Sequence, residues 1–406
     1  MSFIPKTGSF EGMKSLNKSA IMNLIRLQGP ISRAEIAKLT KLTPPTVGSI
    51  VSELLEADFI KEETGFAKSQ GGRKPIMLTL NSTNYFIIGI YGSAEVITTV
   101  ISNLDGEIIY SKDKEVWNTP SEEEFLTMLK ECIQDTLDEN DLLHSSIIGI
   151  GVAMHGLVDP VNGIAIFAPH LNLSNIPIKN TLEDEFSIPV LMENDVRALT
   201  LAESWYGKGK DVSDFICISV GRGIGSGIVL NHKIYNGAYN SAGEIGHTIV
   251  DVNGPRCKCG NYGCLEAFSS EAAVLERVKR GIRLGRDSIL AAEINEDNRW
   301  DIEMIFRAAE KGDQLALESL EESGRYLGLA IANFINIFTP SKVILEGKLF
   351  DAGDLILSPI RTMVERSTLK SSPGPEAIEC STLGKKGMAV GACTLVLRSL
   401  FKPGGF

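Results

Sequence analysis

The sequence predicts an α/β body behind a small helix-rich head, and three observations predict it. From about residue 83 onward, β-branched runs alternate with stretches of helical period, the pattern of an α/β architecture. Residues 1–80 instead carry three helical patterns and then two strand patterns around a basic, glycine-containing loop. The charge divides at the same place. Residues 1–80 hold 11 Lys+Arg against 7 Asp+Glu, a net of +4, and the remaining residues hold 29 against 44, a net of −15. A basic head on an acidic body points to an anionic partner for the head alone. At 406 residues, with 43% hydrophobic and 22% charged residues, the chain has the composition of an ordinary soluble protein of two or three domains. No apolar run approaches the roughly 20 residues of a membrane span. The opening MSFIPKTGSFEGMKSLNKS lacks the apolar core of a signal peptide, so a cytoplasmic address and no membrane partner are expected.

In the head, Ile21, Leu24 and Ile25 mark one face of a first helix, which QGP (28–30) stops. Ser32 followed by Glu35 is a capping-box spacing for a second helix. Thr43 suits the N-cap of a third, with Pro44 in the tolerated first position. That third helix carries Val47, Ile50, Val51, Leu54 and Leu55 on one face and the small residues Thr46, Gly48, Ser49 and Ser52 on the other. A face so small can lie against a DNA major groove. FIKEE and PIMLTL then pair around TGFAKSQGGRKP, a loop with the character of a wing whose Arg73 and Lys74 could enter a minor groove. The whole reads as a winged helix-turn-helix domain over residues 1–80. Its candidate DNA contacts are Ser32, Arg33, Thr43, Pro44, Thr46, Ser49, Arg73 and Lys74.

The body begins with the strand YFIIGIYG and the hairpin VITTVISNLDGEIIYS, followed by the helix SEEEFLTMLKECIQDTLDEN. The buried strand SIIGIGVAM leads into HGLVDPVNG, and IPVLMEND is a strand ending at Asn194 and Asp195. DFICISVGRGIGSGIVLNHKIYNG is a strand, glycine turn and strand. Three helices and the strand SKVILEG follow.

Three of the seven cysteines, Cys257, Cys259 and Cys264, fall within eight positions, ten residues after His247 and just before Glu266. A disulfide, a metal and a coincidence of loop composition are the alternatives. A reducing cytoplasm favours the metal over the disulfide. Cys132, Cys217, Cys380 and Cys393 stand in apolar contexts and read as buried small residues.

MEND (192–195), GEIGH (243–247), CKCGNYGCLE (257–266), GRGIGSG (221–227) and the PISRAEIAKLTKLTPPTV head together resemble the ROK family (repressor, open reading frame, kinase) over nearly the whole chain. The resemblance implies an actin/hexokinase-like body over residues 81–406, with two α/β lobes, a sugar cleft between them and a C-terminal helix returning to the first lobe. The head places the chain with the repressor branch, similar to the xylose- and N-acetylglucosamine-responsive repressors. His247, Cys257, Cys259 and Cys264 match the family's ligands to one structural Zn2+. The chemistry agrees: three thiolates and an imidazole close a tetrahedral site and leave no position for an activated water. Asn194, Asp195, Glu244, His247 and Glu266 match the residues that contact sugar in the family's kinases, and Asp195 matches the kinase general base. HGLVD (155–159), with Gly156, matches a loop that closes over the sugar. Here His155 replaces a more usual proline.

The nucleotide motifs have fared less well. GIYGSAE (89–95) puts Tyr91 at the position of the family's aspartate and Glu95 near that of its threonine. A phenol and a carboxylate both oppose a polyphosphate. In GRGIGSG, Arg222 replaces a small hydroxyl residue, and the adenosine-side glycines have become EGKL (346–349). The expectation is a repressor of carbohydrate-metabolism genes with no catalytic residues. Its partners would be operator DNA and a sugar inducer, it would form a homodimer or tetramer, and a phosphotransferase-system protein is a further candidate partner. The alternative is an active sugar kinase with a fused DNA-binding head.

Overall fold

The computed structural model describes residues 10–63, 75–116, 119–140, 146–293 and 300–401. These form two compact units, residues 1–198 with 388–406 and residues 199–387.

The head opens the first unit with α1 (Phe10–Gln28), β1 (Ile31–Ser32), α2 (Arg33–Thr40), α3 (Pro44–Glu56), β2 (Ile60–Glu63) and β3 (Met77–Leu80). The capping box is present, since the Ser32 hydroxyl accepts from the Glu35 amide and the Glu35 carboxylate accepts from the Ser32 amide. Thr43 caps α3 by accepting from the Thr46 amide, and Pro44 opens the helix. Each cap satisfies donors that the first turn leaves orphaned. Val47, Ile50, Val51 and Leu54 are buried, and β1, β3 and β2 form an antiparallel sheet in that order. The candidate wing residues Arg73 and Lys74 lie outside the described residues.

Next come β4 (Phe86–Gly92), β5 (Val96–Asn103), β6 (Ile108–Glu115), α4 (Glu122–Asp138) and β7 (Ile147–Met154). A small antiparallel sheet of β8 (Leu157–Asp159), β9 (Ile164–Ala168) and β10 (Leu173–Ile176) follows. Then come α5 (Ile178–Phe186), β11 (Val190–Asn194) and α6 (Asp195–Tyr206), in which the division between units falls. The main sheet has the order β11-β7-β4-β5-β6. β4 runs antiparallel to β5 and parallel to β7, and β7 runs parallel to β11.

The second unit holds β12 (Phe215–Val220), β13 (Ile224–Leu230), β14 (Lys233–Ile234), α7 (Glu266–Ser269), α8 (Glu271–Arg283), α9 (Ile302–Glu310) and α10 (Gln314–Phe338). β15 (Lys342–Glu346), α11 (Asp354–Ser367) and β16 (Ile378–Cys380) complete it. Its sheet runs β14-β13-β12-β15-β16. In both sheets the first three strands are antiparallel neighbours and the last two are added in parallel on the other side of the first, so one topology is used twice. Cys380 corrects the sequence reading: it ends the edge strand β16 and is exposed.

α12 (Gly387–Phe401) returns to the first unit and lies with its backbone against the main sheet. A Cβ on Gly151 would stand 1.9 Å from the Ala392 carbonyl oxygen, and one on Gly89 would stand 2.3 Å from that of Ala389. Backbone cannot yield as a side-chain tip can. Gly151→Ala should therefore lower stability by about 1–3 kcal/mol, the usual cost of overpacking. Its denaturation midpoint against the wild type measures this.

Candidate functional site

In the second unit, a chain reversal gathers the cysteines and the histidine. Leu265 N–H donates to the Thr248 carbonyl (2.9 Å) and Val250 N–H to that of Gly263 (2.9 Å), so residues 248–250 pair with 263–265. Cys257 N–H donates to the Asn261 carbonyl (2.8 Å), closing the loop that holds Cys259. Gly263 has φ +73°, and a Cβ there would lie 1.7 Å from the Asp251 carbonyl oxygen, so no other residue fits that turn.

The four candidate ligand atoms all lie within 4.8 Å of one another. Cys259 Sγ is 3.6 Å from Cys264 Sγ, and Cys257 Sγ is 3.8 Å from His247 Nδ1. A tetrahedron with metal–sulfur bonds of about 2.3 Å has sulfur–sulfur edges of about 3.8 Å, close to the two distances above, so the cluster could hold a zinc-sized ion. Burial pushes the Cys264 thiol up to about 12 and raises Cys257. At Cys259 burial also opposes the charge, but hydrogen bonds from the Asn261 amide and the other two thiols outweigh it and lower the pKa. A dication is what permits three thiolates side by side. The cysteines are unpaired, and among the described residues this is the one His/Cys cluster of metal-binding geometry.

Glu266 opens α7 beside this cluster. Its Oε1 lies 3.8 Å from Cys257 Sγ, and its Oε2 accepts from the Ile224 amide (3.1 Å), joining the cysteine loop to the glycine turn before β13. The GEIGH segment rests on β13 as well. The Ser226 amide and hydroxyl both donate to the Gly243 carbonyl (2.9 and 2.8 Å), and a Cβ on Gly246 would meet the Ile224 carbonyl oxygen at 2.2 Å. Glu244 is exposed and starts the short helical turn Ile245–His247. Nδ1 is the His247 nitrogen set nearest Cys257, so a metal held there would leave Nε2 as the nitrogen to donate a hydrogen bond.

In the first unit, Asn194 ends β11 and Asp195 begins α6. The Asn194 amide group donates to the Gly156 carbonyl (3.0 Å) and to Asp195 Oδ1 (3.0 Å), while its Oδ1 accepts from the Val196 and Arg197 amides (3.1 and 3.2 Å). Gly156, Asn194 and Asp195 thus form one hydrogen-bonded group. Burial pushes the Asp195 carboxyl above the ordinary range, and positive charge at His155 and Arg197 pulls it back. His155 is buried, its Nδ1 lies 3.3 Å from the Gly92 carbonyl oxygen, and its ring stacks on His170 at 5.5 Å.

Sequence reading missed the support beneath this group. Glu193 and Arg197 are a buried ion pair: Glu193 Oε1 accepts from Arg197 Nε (2.8 Å), from its Nη2 (2.7 Å) and from the Asn194 amide (2.8 Å). The i,i+4 spacing of opposite charges across MENDVR was the available signal.

The candidate DNA contacts occupy the head. Pro44, Thr43 and Ser49 are exposed, Thr46 is half-buried and Arg33 pairs with Glu62 at 2.6 Å. Ser32, at 7% exposure, spends its hydroxyl in the capping box, so it sets α2 in place and offers little surface of its own.

A winged helix-turn-helix head thus precedes an actin/hexokinase-like body that carries a cysteine-rich loop. Residues 87–399 match the ROK family and residues 15–61 match the winged helix-turn-helix DNA-binding class. The chain belongs to the ROK family. It is 33% identical over 395 residues to a putative xylose repressor of Caldicellulosiruptor sp. (strain Rt8B.4), covering 97% of this chain and 98% of the relative. It is also 33% identical to the N-acetylglucosamine repressor of Escherichia coli O157:H7, covering 97% and 95%. A crystal structure of a ROK family transcriptional regulator, homolog of the E. coli MLC protein, superimposes with a TM-score of 0.84 at 30% identity, covering 97% of this chain and 98% of that one. A ROK family glucokinase from Streptomyces griseus, in complex with glucose and AMPPNP, matches with a TM-score of 0.68 at 28% identity, covering 76% of this chain and 98% of its own.

Proposed function

We propose that the chain is a sugar-responsive transcriptional repressor of carbohydrate-metabolism genes, with a DNA-binding head through residue 80 and a sugar-sensing body over 81–406. The observation that carries this is α3: its apolar face is spent inside the head while Thr43, Pro44 and Ser49 stay exposed at its start. A helix so placed presents small polar groups to a major groove. Similarity over 97% of the chain to the xylose and N-acetylglucosamine repressors supports the same reading. The operator contacts are Arg33, Thr43, Pro44, Thr46 and Ser49, with Arg73 and Lys74 of the wing; Ser32 serves through the cap. The sugar residues are Gly156, Asn194, Asp195, Glu244, His247 and Glu266, where paired carboxylates and an amide match the donors and acceptors of neighbouring hydroxyls.

One structural Zn2+ is held by His247, Cys257, Cys259 and Cys264. All four positions are filled by protein, so the ion's work is to fix the loop that delivers Glu266 and the imidazole. The chain acts as a dimer or tetramer on paired half-sites. The test is operator binding by fluorescence anisotropy, on duplexes selected from random DNA by the protein, with D-xylose and N-acetylglucosamine added. Salt-sensitive binding that either sugar weakens supports the reading; binding indifferent to every sugar of a hexose and pentose panel overturns it.

The kinase reading is favoured by Asp195, which keeps the general-base position. Against it, the former nucleotide positions are engaged in structure. Tyr91 packs on Ala153, Ala198 and Ala392, Glu346 accepts from the Ser219 hydroxyl (2.7 Å), and Lys348 pairs with Glu303 (2.9 Å). Phosphoryl transfer depends on positioning and charge neutralisation, so no hexose should be phosphorylated above background. A coupled ATP-consumption assay reading about 10 turnovers per second, an ordinary enzyme rate, would establish the kinase instead.

A further inference from the structure

We propose that α12 is the element through which the sugar site governs the head, with the joint of Phe401 to Asn23 and Arg26 as its output end; this rests on the repressor reading above. α12 is seated on the strands that carry the sugar residues of the first unit. Gly89 of β4 and Gly149 and Gly151 of β7 are the contact points: a Cβ on Gly89 would lie 2.5 Å from Cys393 Sγ, and one on Gly149 would lie 2.7 Å from Val396 Cγ1. β7 runs directly into His155 and Gly156, and β11, paired with it from Val190 to Asn194, ends at Asp195.

A second link is electrostatic. Glu193, whose carboxylate holds the Asn194 backbone amide and Arg197, also attracts the half-buried Arg398 of α12; burial lowers the Arg398 pKa and the Glu193 charge opposes that. The Glu193 carboxylate thus pairs directly with Arg197 and acts on Arg398 through its field alone. A shift of Asn194 to meet a sugar hydroxyl draws on the same carboxylate that α12 faces.

The far end of α12 touches the head. Asn23 of α1 donates its side-chain amide to the Phe401 carbonyl at 2.6 Å, capping a carbonyl that the helix end leaves open. The Arg26 guanidinium stands 5.2 Å above the Phe401 ring, a cation–π contact at the negative end of the helix. Phe401 itself is 3% exposed. α1 packs in turn on α2, α3 and β3. A separate joint holds the other side of the head: Tyr85 donates its hydroxyl to the Ala57 carbonyl (2.7 Å) and stacks on Phe59 at 4.5 Å. With one joint as pivot and the other driven, a slide of α12, which is about 22 Å long, turns the head and with it α3.

The experiment uses full-length wild type, Asn23→Ala and Phe401→Ala, with an operator duplex selected by the wild type and with D-xylose and N-acetylglucosamine as probes. Calorimetry reads sugar binding and anisotropy reads operator affinity with and without sugar. Both variants should bind sugar and operator as the wild type does. The sugar-induced weakening, on the order of 5- to 150-fold in ordinary allostery, should fall to about 2-fold or less. Asn23→Ala removes one half-buried amide without opening the core, and keeps the test available should Phe401→Ala fail to fold. Variants that retain the full wild-type response overturn the proposal. A wild type whose operator binding ignores sugar overturns the repressor reading, and this inference with it.

Discussion

A Cys259→Ser chain should emerge from metal-free purification without its zinc, while the wild type carries one ion per chain. Cys259 is exposed and serine nearly isosteric, so the exchange costs no packing and its effect comes through the metal alone. Structural zinc contributes about 10–16 kcal/mol of apparent binding free energy in small zinc-finger peptides. Here only part of that supports folding, because the second unit has its own core built from β12, β13, β15 and the packed helices. The loss should therefore be local. Amide exchange over residues 243–266 should rise most, and the melting temperature should fall without abolishing the fold. A variant as stable as wild type, or a well-folded wild type without metal, would remove zinc from the reading.

Glu266→Gln should move the sugar response to higher sugar concentration while sparing the operator. The substitution keeps shape, and the Gln oxygen can still accept from the Ile224 amide. What it removes is charge: a hydrogen bond to a charged group contributes about 1.5–3 kcal/mol against about 0.5–1.5 for a neutral one, so sugar affinity should fall roughly 5- to 13-fold. Asp195→Asn tests the first unit in the same way, and there the neighbouring Asn194 amide loses its charged partner as well. Titration calorimetry with the sugar that releases the wild type from DNA measures both. A Glu266→Gln protein that lets go of operator at the wild-type sugar concentration would mean the assigned pocket is wrong.

Much of this molecule could be read from sequence because its signals are local. Ser32 with Glu35, Thr43 before Pro44 and Ser121 with Glu124 are caps whose chemistry lies within four residues. The strands β4, β7 and β12 are apolar runs buried on both faces. The β8–β10 sheet escaped notice because its strands are short and irregular, with Asn172 at positive φ in the turn before β10 and Asn175 at positive φ within it. α11 was obscured by Pro359 within it. The shared strand order of the two sheets rests on pairings far apart in the chain, which no window of sequence contains. The cluster of His247, Cys257, Cys259 and Cys264 was legible because thiols gather at recognisable spacing. Glu193 and Arg197 were overlooked despite their i,i+4 spacing, since an acidic residue beside Asn194 and Asp195 reads as one more polar group until its burial is known.

The return of α12 also has a consequence for biosynthesis. The face of the main sheet that presents Gly89, Gly149 and Gly151 is closed by residues made only after the entire second unit. At about 5–20 residues per second, the roughly 190 intervening residues take some 10–40 s to translate. Through that interval the nascent first unit keeps an open apolar sheet face and a head without its α12 joint. The ribosome therefore produces a chain whose head reaches its final setting on the body only once residues 388–401 have been made. A premature stop before Met388 would yield a polypeptide with every residue proposed to contact DNA and a sheet left for chaperones to cover.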